Sequence, residues 1–156
     1  MSLFLRNLFF TILQPGIVAI LIPFWLSGKS IKTIFEQDFV WHHYLGLIIF
    51  AVGFVVMLIC VINFGMRGKG TLSPADPTKK LVISGLYKYS RNPMYIGVML
   101  MLVGHSIFFR SYVLGTYALF IFIAFNLFIV FFEEPRLQED FGNEYSEYVN
   151  KVGRWF

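Results

Sequence analysis

Two kinds of residue are scarce in this sequence, namely cysteine and charged residues. The single cysteine, Cys60, excludes an internal disulfide and any metal site built from several cysteines. Only 14% of the 156 residues are charged, whereas 57% are apolar and 19 are phenylalanine. A soluble domain of this length has too much surface for its volume to bury so many apolar side chains. We therefore predict an integral membrane protein whose apolar surface is covered by a lipid bilayer.

The sequence also lacks the patterns of nucleotide-binding and nucleic-acid-binding domains. No segment alternates convincingly like a strand, and the glycines of GMRGKG at residues 65–70 do not have the Gly-x-Gly-x-x-Gly spacing. The net charge is +4, but the basic residues are not interleaved with polar, groove-reading side chains. No nucleic-acid partner is predicted. No metal site is predicted either, because adjacent His42 and His43 point in different directions and no third ligand is near.

Four apolar stretches are present instead, at residues 8–26, 44–64, 94–109 and 112–132. A helix needs about 20 residues to cross the hydrocarbon layer. The second and fourth stretches, each of 21 residues without a charge, therefore qualify outright. The third is shorter and is joined to the fourth by two residues, which predicts a tight helical hairpin. The first contains two prolines and a glycine, so it is predicted to be kinked, broken or re-entrant.

The predicted fold is an all-α membrane bundle of about four transmembrane helices that forms a single domain over residues 1–156. N-terminal spans occupy residues 1–64, and a loop, the hairpin and a tail occupy residues 65–156. With four spans, the N-terminus, the loop and the tail share one side, which carries ten of the 13 Lys and Arg residues. The positive-inside rule places that side in the cytoplasm. We expect a multi-pass protein whose active site faces the cytoplasm.

The tail is predicted to form an amphipathic helix. Leu137, Phe141, Tyr145 and Tyr148 follow one another at helical spacing and lie on one face. Such a helix either lies on the membrane surface or folds back over the loop.

Two adjacent carboxylates, Glu133 and Glu134, directly follow the last apolar stretch. At the C-terminal end of a helix they would face the negative end of its dipole, so a cation should lie nearby. That cation is Arg91, Arg136 or a bound ligand. The simplest alternative is that the carboxylates only end a helix at the membrane interface.

Arg91, Asn92 and Pro93 lie at the opening of the third apolar stretch. Asn92 suits the capping position of a helix and Pro93 its first turn. Arg91 is then placed where free N–H groups already attract an anion. An anion site, a carboxylate and aromatic walls from Tyr87, Tyr89 and Tyr95 fit S-adenosylmethionine, although the same features fit a small transporter.

Two segments of the sequence resemble a known signature. GLYKYSRNPMYIG at residues 85–97, and EEPRLQEDFGNEYSEYVNKVGRWF at residues 133–156, are similar to the isoprenylcysteine carboxyl methyltransferase family and its phospholipid methyltransferase relatives. The resemblance covers about residues 74–155, in the family's order and separation. It implies a helical membrane enzyme that uses S-adenosylmethionine without a Rossmann domain.

The resemblance assigns residue roles position by position. Tyr145, Tyr148 and Arg154 would belong to a tail that closes over the cofactor. Arg91 and Glu134 are the predicted catalytic residues, with Arg91 orienting a polar or anionic acceptor and Glu134 serving as base for an amine acceptor. The predicted cofactor-binding residues are Lys79, Lys80, Leu81, Val82, Tyr87, Asn92, Pro93, Met94, Tyr95 and Glu133, the last of which would hold the ammonium group.

Three positions depart from the family pattern. Asn92 replaces a histidine and cannot titrate, and Gly153 replaces a proline. Ile129 occupies the position at which the eukaryotic carboxyl methyltransferases carry an Arg for the substrate carboxylate. A prenylcysteine carboxylate would therefore lack its expected partner here.

Three functions remain open at this stage. The first is methyl transfer to a lipophilic small molecule that enters laterally from the bilayer between the third and fourth spans. The second is methylation of a phospholipid amine, and the third is a non-enzymatic membrane scaffold or partner subunit. The protein is expected to act as a monomer.

Overall fold

A computed structural model describes residues 15–28, 39–67 and 81–156, with the backbone alone for residues 64–67. All regular structure within these ranges is helical, so the predicted all-α class is confirmed for the described part of the chain. The elements are a π-helical turn Ile17–Leu21, α1 (Ile22–Ser27), α2 (Trp41–Arg67), a 3₁₀ turn Gly85–Lys88, α3 (Pro93–Phe109), α4 (Tyr112–Phe128), a second π-helical turn Ile129–Glu133 and α5 (Glu134–Lys151).

Within the described residues, two helices are long and apolar enough to cross a membrane. One is Trp41–Asn63 with a mean hydropathy of 3.2, and the other is the helical segment Tyr112–Lys151, whose most apolar part has a mean hydropathy of 2.3. They contain the two apolar stretches predicted to span. The helices Ile17–Ser27 and Pro93–Phe109 are apolar but shorter. Two candidate spans are therefore present, and the four-span bundle stays a prediction.

Helices α2 and α3 run antiparallel with their backbones in contact. A Cβ atom added to Gly53 would lie 2.6 Å from the carbonyl oxygen of Gly97, and one added to Gly46 would lie 2.7 Å from that of Gly104. The two glycines are seven residues apart in each helix, so both pairs lie along one seam. Small residues at such seams let membrane helices approach closely. This contact fixes where α3 begins relative to the end of α2.

The predicted hairpin joins α3 to α4. Arg110 adopts the left-handed conformation with φ 46°, which ends α3. Ser111 precedes α4, and its Oγ accepts the N–H of Leu114 at 3.4 Å. The chain therefore reverses direction within two residues, and α4 packs along α3.

The segment before α2 packs on the hairpin. Ala19 of the first π-helical turn is fully buried, and it clusters with Met101 of α3 and Ala118 of α4. The hydroxyl of Tyr117 donates to the carbonyl oxygen of Val18 at 3.0 Å. The described part of the first apolar stretch therefore lies against the same core as the hairpin.

Helix α4 continues through the second π-helical turn into α5 without a break. The carboxylates at positions 133 and 134 therefore do not end a helix, contrary to the sequence-based expectation, and the dipole argument does not apply to them. Within α5 the helical backbone is interrupted at Gly142, which has φ 49° and ψ −118°. Glycine tolerates this left-handed φ without steric cost. The interruption turns the second half of α5 back towards the start of α3.

Candidate active site

Three segments of the chain converge where α4 passes into α5. They are residues 90–95 at the start of α3, the Glu133–Glu134 pair, and residues 152–155 after α5, which we call the strap. Pro93 is the first residue of α3 and Asn92 is its capping position, as predicted. The Asn92 side chain does not cap the helix, however, because its amide is used elsewhere.

The strap is fixed to the start of α3 by main-chain and side-chain hydrogen bonds. The N–H of Arg91 donates to the carbonyl oxygen of Gly153 at 3.0 Å. The Ser90 hydroxyl and the Asn92 amide both donate to the carbonyl oxygen of Arg154, at 3.2 and 3.1 Å. Ser90 and Asn92 are buried. Because buried polar groups are costly to leave unpaired, these contacts hold the strap in one position.

Glu134 lies between two arginines. Its Oε1 forms a salt bridge with Arg91 Nη1 at 3.0 Å and accepts a hydrogen bond from Arg154 Nε at 2.9 Å, and its Oε2 accepts one from Arg154 Nη2 at 2.9 Å. The hydrogen bond to Glu134 raises the pKa of Arg154 above its ordinary value. The three side chains are 12%, 21% and 36% exposed for Arg91, Glu134 and Arg154. The cluster therefore carries one excess positive charge in a partly buried setting.

The predicted catalytic pair is therefore brought together by direct contact. The role of Glu134 as base stays a prediction. Arg91 Nη1 also donates to the hydroxyl of Tyr145 at 3.3 Å. Arg91 Nε is buried and has no hydrogen-bond partner among the described residues. That N–H remains available to a ligand.

Glu133 faces a different neighbour from Glu134. The hydroxyl of Tyr95 donates to Glu133 Oε2 at 2.9 Å, and the Tyr95 ring packs against Phe125 with ring centroids 4.6 Å apart. The residues that the structure describes place no donor on Oε1 and no salt bridge on this carboxylate. Arg136, one of the cations considered from the sequence, pairs with Asp140 at 3.7 Å. Glu133 is thus a carboxylate held by a neutral phenol.

The strap also reaches α4 through Trp155. The indole Nε1 donates to Asn126 Oδ1 at 3.3 Å, and the indole packs on Phe122 with ring centroids 5.4 Å apart. Asn126 and Trp155 were not singled out from the sequence. Asn126 could have been noticed because it is a polar amide within an uncharged apolar stretch. Polar side chains in such helices need hydrogen-bond partners.

The second half of α5 folds back over the loop rather than lying only on a membrane surface. The hydroxyl of Tyr148 donates to the carbonyl oxygen of Tyr87 at 2.6 Å, and Tyr145 and Tyr148 are buried. Burial raises the pKa of Tyr148 to about 12. It also raises the pKa of Tyr87 well above its ordinary value. Both phenols therefore stay protonated and neutral at physiological pH.

The described part of the loop packs under the site. Val82 and Tyr87 form a buried cluster with Cys60 of α2, and Met94 packs against it. Leu81 is partly buried next to this cluster. Val82 and Tyr87, two of the loop residues assigned from the family resemblance, thus lie between α2 and the start of α3.

The structure brings most of the predicted site residues together in this region. Lys79 and Lys80 lie outside the described residues. Within residues 15–28, 39–67 and 81–156, no group of three or more His, Cys, Asp and Glu side chains is arranged to hold a metal ion. The side chains that could meet a ligand here are a carboxylate, a guanidinium N–H and several phenols.

Comparison with known proteins gives an independent result. The sequence model of the phospholipid methyltransferase family matches residues 41–144. Two rice proteins, from Oryza sativa subsp. indica and subsp. japonica, are each described as a probable protein-S-isoprenylcysteine O-methyltransferase. Each is 30% identical to this chain over 112 residues, which are 70% of this chain and 58% of the relative. The chain thus matches little more than half the length of these relatives. No solved structure shows significant similarity.

Proposed function

Because the chain belongs to the phospholipid methyltransferase family, we propose that it transfers a methyl group from S-adenosylmethionine to a lipophilic acceptor at the cytoplasmic face of a membrane. The contact between Glu133 and Tyr95 carries this proposal. It presents a carboxylate that forms no salt bridge within the described part of the chain, inside an aromatic environment next to the strap.

The side chains present fit this cofactor. Glu133 Oε1 is an acceptor for an ammonium group, and a charge-assisted hydrogen bond of this kind is about twice as strong as a neutral one. The Tyr95 phenol fixes the direction of the carboxylate. Arg91 Nε is a buried donor suited to a carboxylate or another anionic group. Tyr87 and Tyr95 supply aromatic faces for an adenine base and a sulfonium.

The protein's contribution to the chemistry is alignment and exclusion of water. The bound cofactor supplies a methyl group on a sulfonium, already activated for in-line displacement. Glu133 holds the cofactor's ammonium group, and the Arg91–Glu134–Arg154 cluster keeps the start of α3 and the strap in fixed positions around it. Such alignment is the main contribution that a protein can make to a displacement on an activated group. The strap and the tyrosines of α5 cover the site from water.

The distribution of exposed side chains supports a membrane location and the proposed orientation. Trp41, Tyr44 and Tyr112 are exposed where α2 and α4 begin, and Tyr89 is exposed at the opposite end, next to α3. Aromatic residues are enriched at both membrane–water interfaces. Among the residues that the structure describes, the end that carries Tyr89 also carries the arginine cluster, Lys88 and Lys151, whereas Arg110 lies at the other end of α3. By the positive-inside rule that end faces the cytoplasm, where S-adenosylmethionine would enter.

The surroundings of Glu133 favour an acceptor that enters from the bilayer. Position 129, one turn before Glu133, is a fully buried isoleucine. An isoleucine side chain offers no charged partner for a carboxylate. We propose that the acceptor approaches between α3 and α4 with an apolar body and one small nucleophilic group. Arg91 would orient that group.

A phospholipid amine is the second candidate acceptor. The observation that favours it is the match to the phospholipid methyltransferase family over residues 41–144. An amine must lose its proton before it attacks, and Glu134 is the nearest candidate base. The two acceptor classes differ in product. An amine acceptor would change the lipid head-group profile of cells that overexpress the protein, whereas a lipophilic small molecule would leave it unchanged.

The test of cofactor binding is isothermal titration of the detergent-purified protein with S-adenosylhomocysteine. We expect micromolar binding that weakens at least about tenfold in Glu133→Gln, because one charge-assisted hydrogen bond is lost. Glu139→Gln makes the same chemical change at an exposed position of α5 and should bind like the original protein. A well-folded protein that does not bind S-adenosylhomocysteine would overturn the proposed function.

A further inference from the structure

The two π-helical turns that the structure describes have the same relation to a proline. Ile17–Leu21 ends two residues before Pro23, and Ile129–Glu133 ends two residues before Pro135. In each turn the closing bond spans five residues. The N–H of Ile22 donates to the carbonyl oxygen of Ile17, and the N–H of Glu134 donates to that of Ile129. The repetition points to a common local cause.

Proline supplies that cause through its geometry. In a regular α-helix the ring of Pro135 would collide with the carbonyl group of Phe131, four residues earlier, and the missing N–H would leave that carbonyl without its partner. A wider turn moves the carbonyl away from the ring. Pro135 therefore favours the π-helical turn over the regular α-helical turn at this position.

The wider turn changes which residues share a face of the helix. Residues eight apart in a regular α-helix point about 80° away from each other, because each residue turns by about 100°. A π-helical turn accommodates one extra residue, so residues eight apart across it point in nearly the same direction. Asn126 and Glu134 are such a pair, and both contact the strap.

Consecutive strap residues make these two contacts. Trp155 donates to Asn126 at 3.3 Å, and Arg154 binds Glu134 through two hydrogen bonds of 2.9 Å each. With Glu134 aligned to the strap, the residue before it is turned towards α3. Glu133 then meets the Tyr95 hydroxyl at 2.9 Å.

We propose that Pro135 is a positioning residue that assigns the two adjacent carboxylates to different tasks. By favouring the π-helical turn, it directs Glu134 to the strap and Glu133 to Tyr95 and the cofactor. The inference rests on the proposed function for the part that concerns the cofactor. Its effect on the strap is independent of any ligand.

Pro135 is well suited to a clean substitution. Its side chain is exposed, so Pro135→Ala removes no buried contact and creates no cavity. Alanine restores the N–H and permits a regular α-helical turn. Glu139→Ala, at an exposed position one turn later in α5, introduces the same residue without affecting the turn and serves as the matched control.

The first measurement is the emission of Trp155 in protein without ligand. The chain has three tryptophans, so Trp25→Phe and Trp41→Phe leave Trp155 as the only emitter. We expect Pro135→Ala to shift this emission and Glu139→Ala to leave it unchanged. An unshifted spectrum would overturn the proposed alignment of the strap with α4, whether or not S-adenosylhomocysteine binds.

The second measurement is S-adenosylhomocysteine affinity by titration. Pro135→Ala should weaken binding roughly tenfold, the scale of one misdirected charge-assisted hydrogen bond. In a Tyr95→Phe background the same substitution should have a smaller effect, because both changes act through Glu133. If Pro135 had a purely structural role, the effects of Pro135→Ala and Tyr95→Phe on the binding free energy would be additive. Equal affinity of Pro135→Ala and the original protein would overturn the inference and leave the proposed function standing, whereas absent binding in both would overturn the proposed function.

Discussion

Replacing Glu134 by glutamine tests whether the arginine cluster holds the site together. Glu134→Gln keeps the size of the side chain and removes its charge. Arg91 and Arg154 then lie side by side, with only one amide oxygen to share between three N–H donors. Two cations without their common carboxylate repel each other. The attachment of the strap to the start of α3 should therefore weaken.

The expected loss of stability follows from the contacts. Removing one partner of a fully buried ion pair costs about 3–5 kcal/mol, because an uncompensated charge stays behind. Here the side chains are 12%, 21% and 36% exposed, so solvent screens part of that cost. The amide oxygen keeps about one of the two hydrogen bonds from Arg154, and the salt bridge to Arg91 is lost. We expect a loss of roughly 2–3 kcal/mol, which corresponds to a fall in Tm on the order of 5–10 °C for a chain of this length.

Thermal unfolding in detergent, followed by the exposure of Cys60 to a thiol-reactive dye, measures this loss. Cys60 is the only cysteine and is fully buried, so it reports unfolding directly. Asp140→Asn is the matched control, because it makes the same change in the exposed pair of Asp140 with Arg136 at 3.7 Å. That pair should contribute less than about 1 kcal/mol. Equal Tm values for Glu134→Gln and Asp140→Asn would refute the stabilising role of the cluster.

Two further predictions concern the helix seam and the tail. Gly53→Ala adds a methyl group 2.6 Å from the carbonyl oxygen of Gly97, so α2 and α3 must separate and stability should fall by about 1–3 kcal/mol. Ala51→Leu on the exposed face of α2 should have almost no effect in the same denaturation assay, and similar losses in both variants would contradict the close contact. Burial raises the pKa of Tyr148 from 10.0 to about 12, so the unfolded chain loses this proton at lower pH than the folded chain. The free energy of unfolding should therefore fall as the pH rises from about 10 to about 12, and this group should cause no pH dependence below about 10. Tyr148→Phe should reduce that slope, and an unchanged slope would count against the buried phenol.

Local composition predicts the helices of this chain but not their contacts. The stretches at residues 44–64 and 112–132 were identified because they are long and uncharged, and the hairpin because only two residues separate its helices. Hydrophobicity alone did not predict the glycine seam between α2 and α3. The seven-residue spacing of Gly46 with Gly53, and of Gly97 with Gly104, is visible in the sequence, but their pairing depends on how two helices dock.

In the candidate site, too, the sequence predicted individual residues but not the contacts between them. Residue chemistry and family resemblance pointed to Arg91, Glu133 and Glu134. The sequence did not predict that Arg91 contacts Glu134 or that Arg154 joins them. These contacts form because the strap, which lies about 60 residues later in the chain, packs against the start of α3. The continuation of α4 into α5 was also missed, because a pair of carboxylates after an apolar stretch resembles the end of a helix. The π-helical turn before Pro135 lets the helix continue.

The two carboxylates differ most in how their charge is balanced. Glu134 carries one negative charge and forms salt bridges with two positively charged guanidinium groups. Glu133 has a phenol and no salt bridge within the described part of the chain. A carboxylate next to an apolar helix is costly to keep charged unless a cation compensates it. A ligand with an ammonium group would supply that cation, and its binding would remove a cost that the folded protein already carries. The affinity of Glu133 for such a ligand would then come largely from this unbalanced charge, which Glu133→Gln abolishes while leaving the Arg91–Glu134–Arg154 cluster intact.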